Sequence, residues 1–390
     1  VSGEGENGTM SGPDGGYGEM VGGASIDLDA LEQNFRHLKS LTNAKIAAIV
    51  KANGYGHGMA EVSRRLVEAG ADYLGVAQLS EALSLRECEP DIPILTWLYA
   101  PGTDLTYAIR AKLDISIGAP WALDAVLEAA RLLGQTARVH IEVDTGMSRG
   151  GFEPSRIAEA GAILARAEAD GLVRVIGAWS HLARADEPDS SETGRQLAAY
   201  REALDVLEGT GVVPEIRHLA NTAGLLWHPE THFDMVRPGV GLFGLSPNPN
   251  VETADELGLV PVMTLTSRIV ATRKVPAGTG VSYGHTDITD RTTRLGTVPL
   301  GYADGIPRSA SSLGPVTVVG IRTHVVGRVC MDQVVIELPD GVEVGDEVIF
   351  YGQGGASADE WADLAGTIGY EITTRLGRHV PRTYRGKVGH

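Results

Sequence analysis

An apolar run, Ile46 to Val50, stops abruptly at the amine of Lys51. The loop that follows, within "KIAAIVKANGYGHG" (45–58), carries Gly54, Tyr55, Gly56 and Gly58. Glycines at that density let backbone come close to a ligand and adopt conformations that other residues avoid. Reactive and polar types recur at the ends of later apolar runs. "DTGMSRGG" carries Arg149, and Ser180 and His181 follow "VRVIGAW". "HLANTAG" carries His218, Asn221 and Thr222, and "VRPGVG" carries Arg237 and Gly239.

Each of these has an ordinary explanation taken singly. A strand-end lysine is commonly solvated, a lone histidine is commonly a satisfied structural group, and Gly-Val-Gly is commonly a turn. Together they compose an amine beside a cradle of glycine amides, Thr222 and Tyr55. A lysine whose pKa is brought down to roughly 7–8 is a standard route to a Schiff base with a carbonyl. A Schiff base next to a phosphate cradle suggests pyridoxal 5′-phosphate (PLP).

The elements that must position these residues are legible as apolar runs: 45–50, 73–77, 93–98, 113–118, 137–143, 173–179, 215–220 and 233–239. Most are too continuous for half-exposed antiparallel strands and read as strands of a sheet covered on both faces. Amphipathic helical stretches lie between them. One, "PSRIAEAGAILARAEADG", sets Ile157, Ala160, Ile163, Leu164 and Ala167 on one face, with Gly171 as the stop. Such alternation implies a parallel sheet. Eight units in roughly 220 residues fit a (β/α)8 TIM-type barrel, whose active site lies just past the C-terminal ends of its strands. An open doubly wound sheet is the alternative, weakened because no G-x-G-x-x-G follows the first run. A polar, proline-bearing linker (246–261) comes next. Beyond it, period-two runs predict a smaller, mainly β domain interrupted by one helical stretch, "ADEWADLAGTIGYEITTRLG". The expected organisation is a barrel domain over 24–246 and a β domain over 255–390.

Composition narrows the class. The chain has 390 residues, 43% hydrophobic and 21% charged, as in ordinary soluble domains. A net charge of −17 argues against nucleic acid or an anionic membrane as partner. No run of apolar residues reaches the length of a membrane span. Two cysteines, Cys88 and Cys330, imply no disulfide framework and suit a reducing cytoplasm. Residues 1–20 hold seven glycines, four acids and no base, and read as a disordered leader rather than a signal peptide.

"AAIVKANGYGHG" resembles the PLP-lysine signature of alanine racemases. "VDTGMSRGG", "SHLARADEP", "HLANTAG", "MVRPGVGLFGLSP", "GVSYGHT", "PLGYADGIPR", "VGRVCMDQ" and "GYEITTRLGRHVPRTY" are similar to that family's other landmarks, in its order, across residues 24–386. The resemblance implies a homodimeric PLP enzyme that interconverts L- and D-alanine by two bases and supplies D-alanine for peptidoglycan. Lys51 would hold the cofactor and act as one base. Tyr283 would be the other, reaching the site from the other subunit. Tyr55, Thr222, Gly239, Val240 and Tyr370 would hold the phosphate, with Asn221 beside them. Arg237 would face the pyridine nitrogen and Arg149 the phenolic oxygen. Met331 and Asp332 would meet the substrate carboxylate. His181 and His218 would form a relay around Tyr283 and Arg237. Tyr302, Ile368, Arg308, Asp186 and Arg328 would line the access corridor.

One position departs from the family. Many alanine racemases have a CO2-carbamylated lysine seven residues before the site arginine; here that residue is Glu142. An alternating strand would aim Glu142 into the barrel, where it could pair bidentately with Arg149 and supply the negative charge permanently. Two functional alternatives stand beside alanine racemisation: a serine or broader-specificity racemase, and a non-catalytic PLP-binding regulator. The complete second domain bearing Tyr283 argues against the regulator. A decarboxylase is disfavoured because that family's glycine-rich phosphate loop and C-terminal cysteine–acid motif are missing.

Overall fold

The computed structural model describes residues 22–386, so the expected leader lies outside the described residues. The eight apolar runs become eight strands: β2 (Lys45–Ile49), β3 (Tyr73–Gln78), β4 (Ile94–Leu98), β5 (Asp114–Ile117), β6 (Ala137–Glu142), β7 (Val173–Trp179), β8 (Ile216–His218) and β9 (Met235–Val236). They form one parallel sheet in the order 8-7-6-5-4-3-2-9, with β2 pairing both β3 and β9. The β8–β9 seam is bridged by backbone and side chain: Asp234 N–H donates to Arg217 O at 3.0 Å, and Arg217 N–H donates to Asp234 Oδ2 at 2.8 Å. The sheet is therefore a nearly closed barrel. Ala47, Tyr73, Ile176, Ile216 and Met235, from five of these strands, form a small buried apolar cluster of their own.

Helices pack outside the strands, as the 3.6-residue spacing predicts. In the helix Ile157–Ala169, Ile157, Ala160, Leu164 and Ala167 are buried. Ile163, expected on that face, is instead 39% exposed, and Gly161 takes the buried place. A Cβ on Gly161 would lie 2.4 Å from Thr210 Oγ1, so the helix approaches its neighbour at that point and turns Ile163 outward.

The second domain begins before the barrel does. Strand β1 (Gly22–Asp27) hydrogen-bonds antiparallel to β10 (Met263–Arg268) and parallel to β19 (Arg382–Arg385). A single strand's affiliation depends on its partners, and these lie some 240 residues or more downstream. With β15 (Pro315–Val318), β16 (Ile321–His324) and β18 (Glu347–Tyr351) these strands make a six-stranded sheet. A three-stranded sheet joins β11 (Ala271–Val275), β14 (Thr293–Val298) and β17 (Val334–Glu337). The helical stretch near the end is two helices, Ala358–Ala365 and Gly369–Thr374.

The linker is not loose. Asn34, wholly buried in the first helix, donates from Nδ2 to Leu242 O and Val260 O, and its Oδ1 accepts from Val260 N–H. Leu257 and Leu259 are buried beneath the turns. One continuous apolar core runs from the barrel helices into the six-stranded sheet, so the two domains are packed as one body. Among the described residues no helix is long and apolar enough to cross a membrane.

Candidate active site

The loop after β2 is built on strain. Ala52, Asn53, Gly54 and Tyr55 have φ of 53°, 56°, 62° and 52°, a full left-handed turn. For residues other than glycine this costs on the order of 1–2 kcal/mol each, so surrounding structure must hold it. Ala52 N–H donates to Glu81 Oε1 at 2.7 Å, and Met59 N–H to Asn53 Oδ1 at 3.0 Å. His57 is wholly buried, with Nδ1 3.0 Å from both Gly54 O and Tyr55 O. The glycines have a steric purpose. A Cβ on Gly56 would lie 2.1 Å from Thr373 O, and one on Gly58 1.9 Å from the Tyr384 hydroxyl. The second domain thus grips this loop directly, and Arg382 Nε adds a hydrogen bond to Gly56 O at 2.8 Å.

The turn points Lys51 and Tyr55 into a cavity of about 570 Å3 at the C-terminal end of the barrel. Arg149, Glu142, His181, Asp186 and Arg237 line it too. So do Asn221, Thr222, Gly239, Val240 and Tyr370. A separate cavity of about 340 Å3, between residues 243–263 and the second domain, holds none of the expected site residues.

Burial holds the Lys51 amine below its ordinary pKa, the Arg149 charge pushes the same way, and Glu81 opposes them. Lys51 Nζ sits 5.9 Å from the centre of the Trp97 ring. Arg237 is buried, which lowers its pKa to about 10 and leaves it protonated at neutral pH. Its Nη2 donates to Ser180 O at 2.7 Å and Leu219 O at 3.1 Å, and lies 3.3 Å from His181 Nδ1. The guanidinium stands 4.9 Å over the Trp179 ring. His181 is pushed well below its ordinary value by burial and then by the charges of Arg237, Arg149 and Lys51.

On the cradle side, Gly239 N–H donates to Thr222 Oγ1 at 2.9 Å, and a Cβ on Gly239 would lie 2.3 Å from the Tyr55 hydroxyl. Tyr55 and Tyr370 face each other at 6.4 Å, and burial raises both phenols so that they remain O–H donors. Asn221 serves the backbone, since its Oδ1 accepts from Gly224 N–H and caps the short helix Thr222–Trp227. A cation-rich cavity with hydroxyl donors, inside a chain of net charge −17, suits a ligand that carries negative charge.

Glu142 lies in the cavity but does not form the expected pair with Arg149, as no hydrogen bond or ion pair joins them. Its carboxylate instead rests against backbone, with Oε2 3.0 Å from where a Gly118 Cβ would stand and Oε1 3.7 Å from a Gly150 Cβ. Burial raises its pKa to about 7, against the opposing charges of Arg149 and Arg237.

The remaining expected residues are not brought to this cavity within one chain. Tyr283 lies in the second domain and is 71% exposed. Ser282 Oγ–H donates to Arg328 O at 2.7 Å, and Tyr302 and Ala303 N–H donate to Cys330 O and Met331 O. These contacts gather Tyr283, Tyr302, Arg328 and Met331, and Met331, Asp332, Tyr302, Arg308 and Ile368 are each exposed. His218 lies behind Arg237, wholly buried. Sequence reading missed Trp97 and Trp179, which line the cavity. Their position at the ends of "PILTWL" and "VRVIGAW" was the available signal.

The match to known proteins follows this geometry. Residues 26–247 match the model of the alanine racemase N-terminal domain, and 262–384 that of the C-terminal domain. The chain belongs to the alanine racemase family. It is 48% identical over 370 residues to the alanine racemase of Thermobifida fusca, covering 94% of this chain and 98% of that one. The crystal structure of alanine racemase from Streptomyces lavendulae superposes with a TM-score of 0.93 at 45% identity, covering 95% and 98% of the two chains. The alanine racemase of Bacillus anthracis, solved with bound L-Ala-P, superposes with a TM-score of 0.86 at 34% identity, covering 95% and 96%.

Proposed function

We propose that the protein interconverts L- and D-alanine with PLP, as a cytoplasmic homodimer whose product serves peptidoglycan synthesis. One observation carries the reading: a single cavity sets a half-buried lysine of lowered pKa beside two arginines and a cradle of hydroxyls and glycine. That donor set fits PLP. Tyr55, Thr222, Tyr370 and the backbone at Gly239–Val240 would hold its phosphate, Lys51 its carbonyl carbon, Arg149 its phenolic oxygen and Arg237 its ring nitrogen. The group, when bound, supplies the electron withdrawal that acidifies the substrate's α-proton.

The chain's own residues do the rest. Lys51, whose charged form burial and Arg149 disfavour, takes or returns the α-proton on one face. Arg237 only donates, so whatever ring atom it faces stays an unprotonated acceptor. Restrained electron withdrawal of that kind favours return of the proton to the α-carbon over its loss elsewhere. The opposite face needs a second base. Tyr283 does not line the cavity of its own chain, and in a dimer the partner subunit's Tyr283 would fill that place.

The test is exchange of L-alanine in deuterium oxide by the purified, PLP-loaded protein. Expected are D-alanine and deuterium at the α-carbon together. Loaded protein that gives neither is a binder and overturns the reading; equal turnover of serine makes it a broader racemase.

A further inference from the structure

TIM-type barrels fill their interior with branched apolar side chains, yet a line of polar groups runs down this one. Arg237 Nη1 lies 3.1 Å from His218 Nδ1. His218 Nε2 lies 2.9 Å from His140 Nδ1, and His140 Nε2 lies 3.2 Å from Asp114 Oδ2. Asp114, His140 and His218 are wholly buried. Asp114 opens β5 and Arg237 follows β9, so the line spans the barrel from its N-terminal side to the cavity. Beyond Asp114, Arg138 grips the carboxylate with Nε and with Nη2, the latter at 3.0 Å.

Only one placement of protons satisfies every bond with both imidazoles neutral. A guanidinium has no acceptor, so His218 Nδ1 accepts from Arg237 and its proton sits on Nε2. That proton goes to His140 Nδ1, which places the His140 proton on Nε2, donated to the Asp114 carboxylate. Burial and the Arg237 charge keep His218 neutral. A second feature was built for the same line. Gly177 sits mid-strand in β7, paired with His140, where a Cβ would lie 2.2 Å from His140 Nδ1. Glycine weakens a strand interior, and here it makes room for the imidazole edge.

We propose that Asp114, His140 and Gly177 are positioning residues for Arg237. Asp114 sets the direction of the hydrogen bonds, the two histidines transmit it, and Arg237 is held with Nη1 committed inward and its plane fixed at the cavity wall. With the line reversed, His218 would present Nδ1–H to Arg237, donor against donor, and displace it. The role of Arg237 toward a cofactor rests on the function proposed above, whereas the proton arrangement does not.

The experiment is two-bond 1H–15N NMR of the full-length protein with 15N-labelled histidine, with and without PLP. Signals are assigned through His140→Gln and His218→Gln. Expected in the parent are Nε2–H tautomers at both His140 and His218. In Asp114→Asn and in Gly177→Ala, which removes no hydrogen-bonding group, His218 should become a tautomer mixture. The kcat for alanine should fall by about tenfold with KM nearly unchanged, about the worth of one lost bond. An Nδ1–H tautomer at His218 in the parent overturns the proposal whether or not any variant folds. So do His218 signals unmoved in a folded variant. Because D-alanine formation by the parent is scored separately, failure of the racemase reading is distinguishable from failure of this one.

Discussion

Lys51 is useful because of where its charge is disfavoured. Burial and Arg149 lower its pKa, so the alkaline onset of activity should lie below the ordinary lysine value of about 10.4. Lys51→Ala should remove the cofactor's visible absorbance band that borohydride bleaches and lower turnover by at least about a thousandfold; racemisation at the parent rate would refute the assignment. Glu142 offers a second residue-scale test. Its folded pKa of about 7 is raised above the ordinary carboxyl value of 4.5. Folding therefore binds a proton, and stability falls as pH rises from about 4.5 to about 7, then levels off. Glu142→Gln removes that loss. Its melting temperature should exceed the parent's above pH 7 and match it below pH 5, and a constant difference across pH would count against a buried titrating carboxyl. With no lysine at 142 to carbamylate, added bicarbonate should leave activity unchanged.

At the scale of elements, the strained turn 52–55 works only because other elements clamp it. Glu81 and the Met59 N–H hold its polar ends, while the backbone at Thr373 and the Tyr384 hydroxyl fill the space left by Gly56 and Gly58. Gly56→Ala would add both a left-handed strain, at φ of 86°, and a collision with Thr373 O. It should destabilise the protein by about 1–3 kcal/mol. Because Tyr55 is the adjacent residue, it should also weaken PLP binding. Thermal melts and cofactor titration measure both; an unchanged melt would mean that the second domain does not grip the loop.

For the whole molecule, the division of the site between two domains is the dominant fact. Cavity residues come from the barrel, from Pro247 just after it and from Tyr370, whereas Tyr283 stands exposed in the second domain and does not line the cavity. Mixing Lys51→Ala with Tyr283→Phe protomers should restore partial activity, up to about a quarter of the parent's from random pairing, since one of the two sites in a mixed dimer keeps both bases. Verified mixed dimers that stay inactive would place both bases in one subunit.

The sequence by itself determined the parts whose signal is local. Eight apolar runs became eight barrel strands because continuous burial on both faces leaves no polar alternation, and strand ends named Lys51, Arg149, His181, Thr222 and Arg237 because the barrel gathers such ends at one rim. Glycines in "KANGYGHG" announced an unusual backbone, though not its left-handed sense. Only tertiary structure decided which sheet receives 22–27, since pairing partners lie far along the chain. It decided that Glu142 rests on glycine backbone rather than on Arg149, because side-chain reach depends on where the neighbouring loop lies. It also aligned Asp114, His140 and His218, which belong to three separate strands: their protons acquire one direction only when barrel closure brings them within hydrogen-bonding distance.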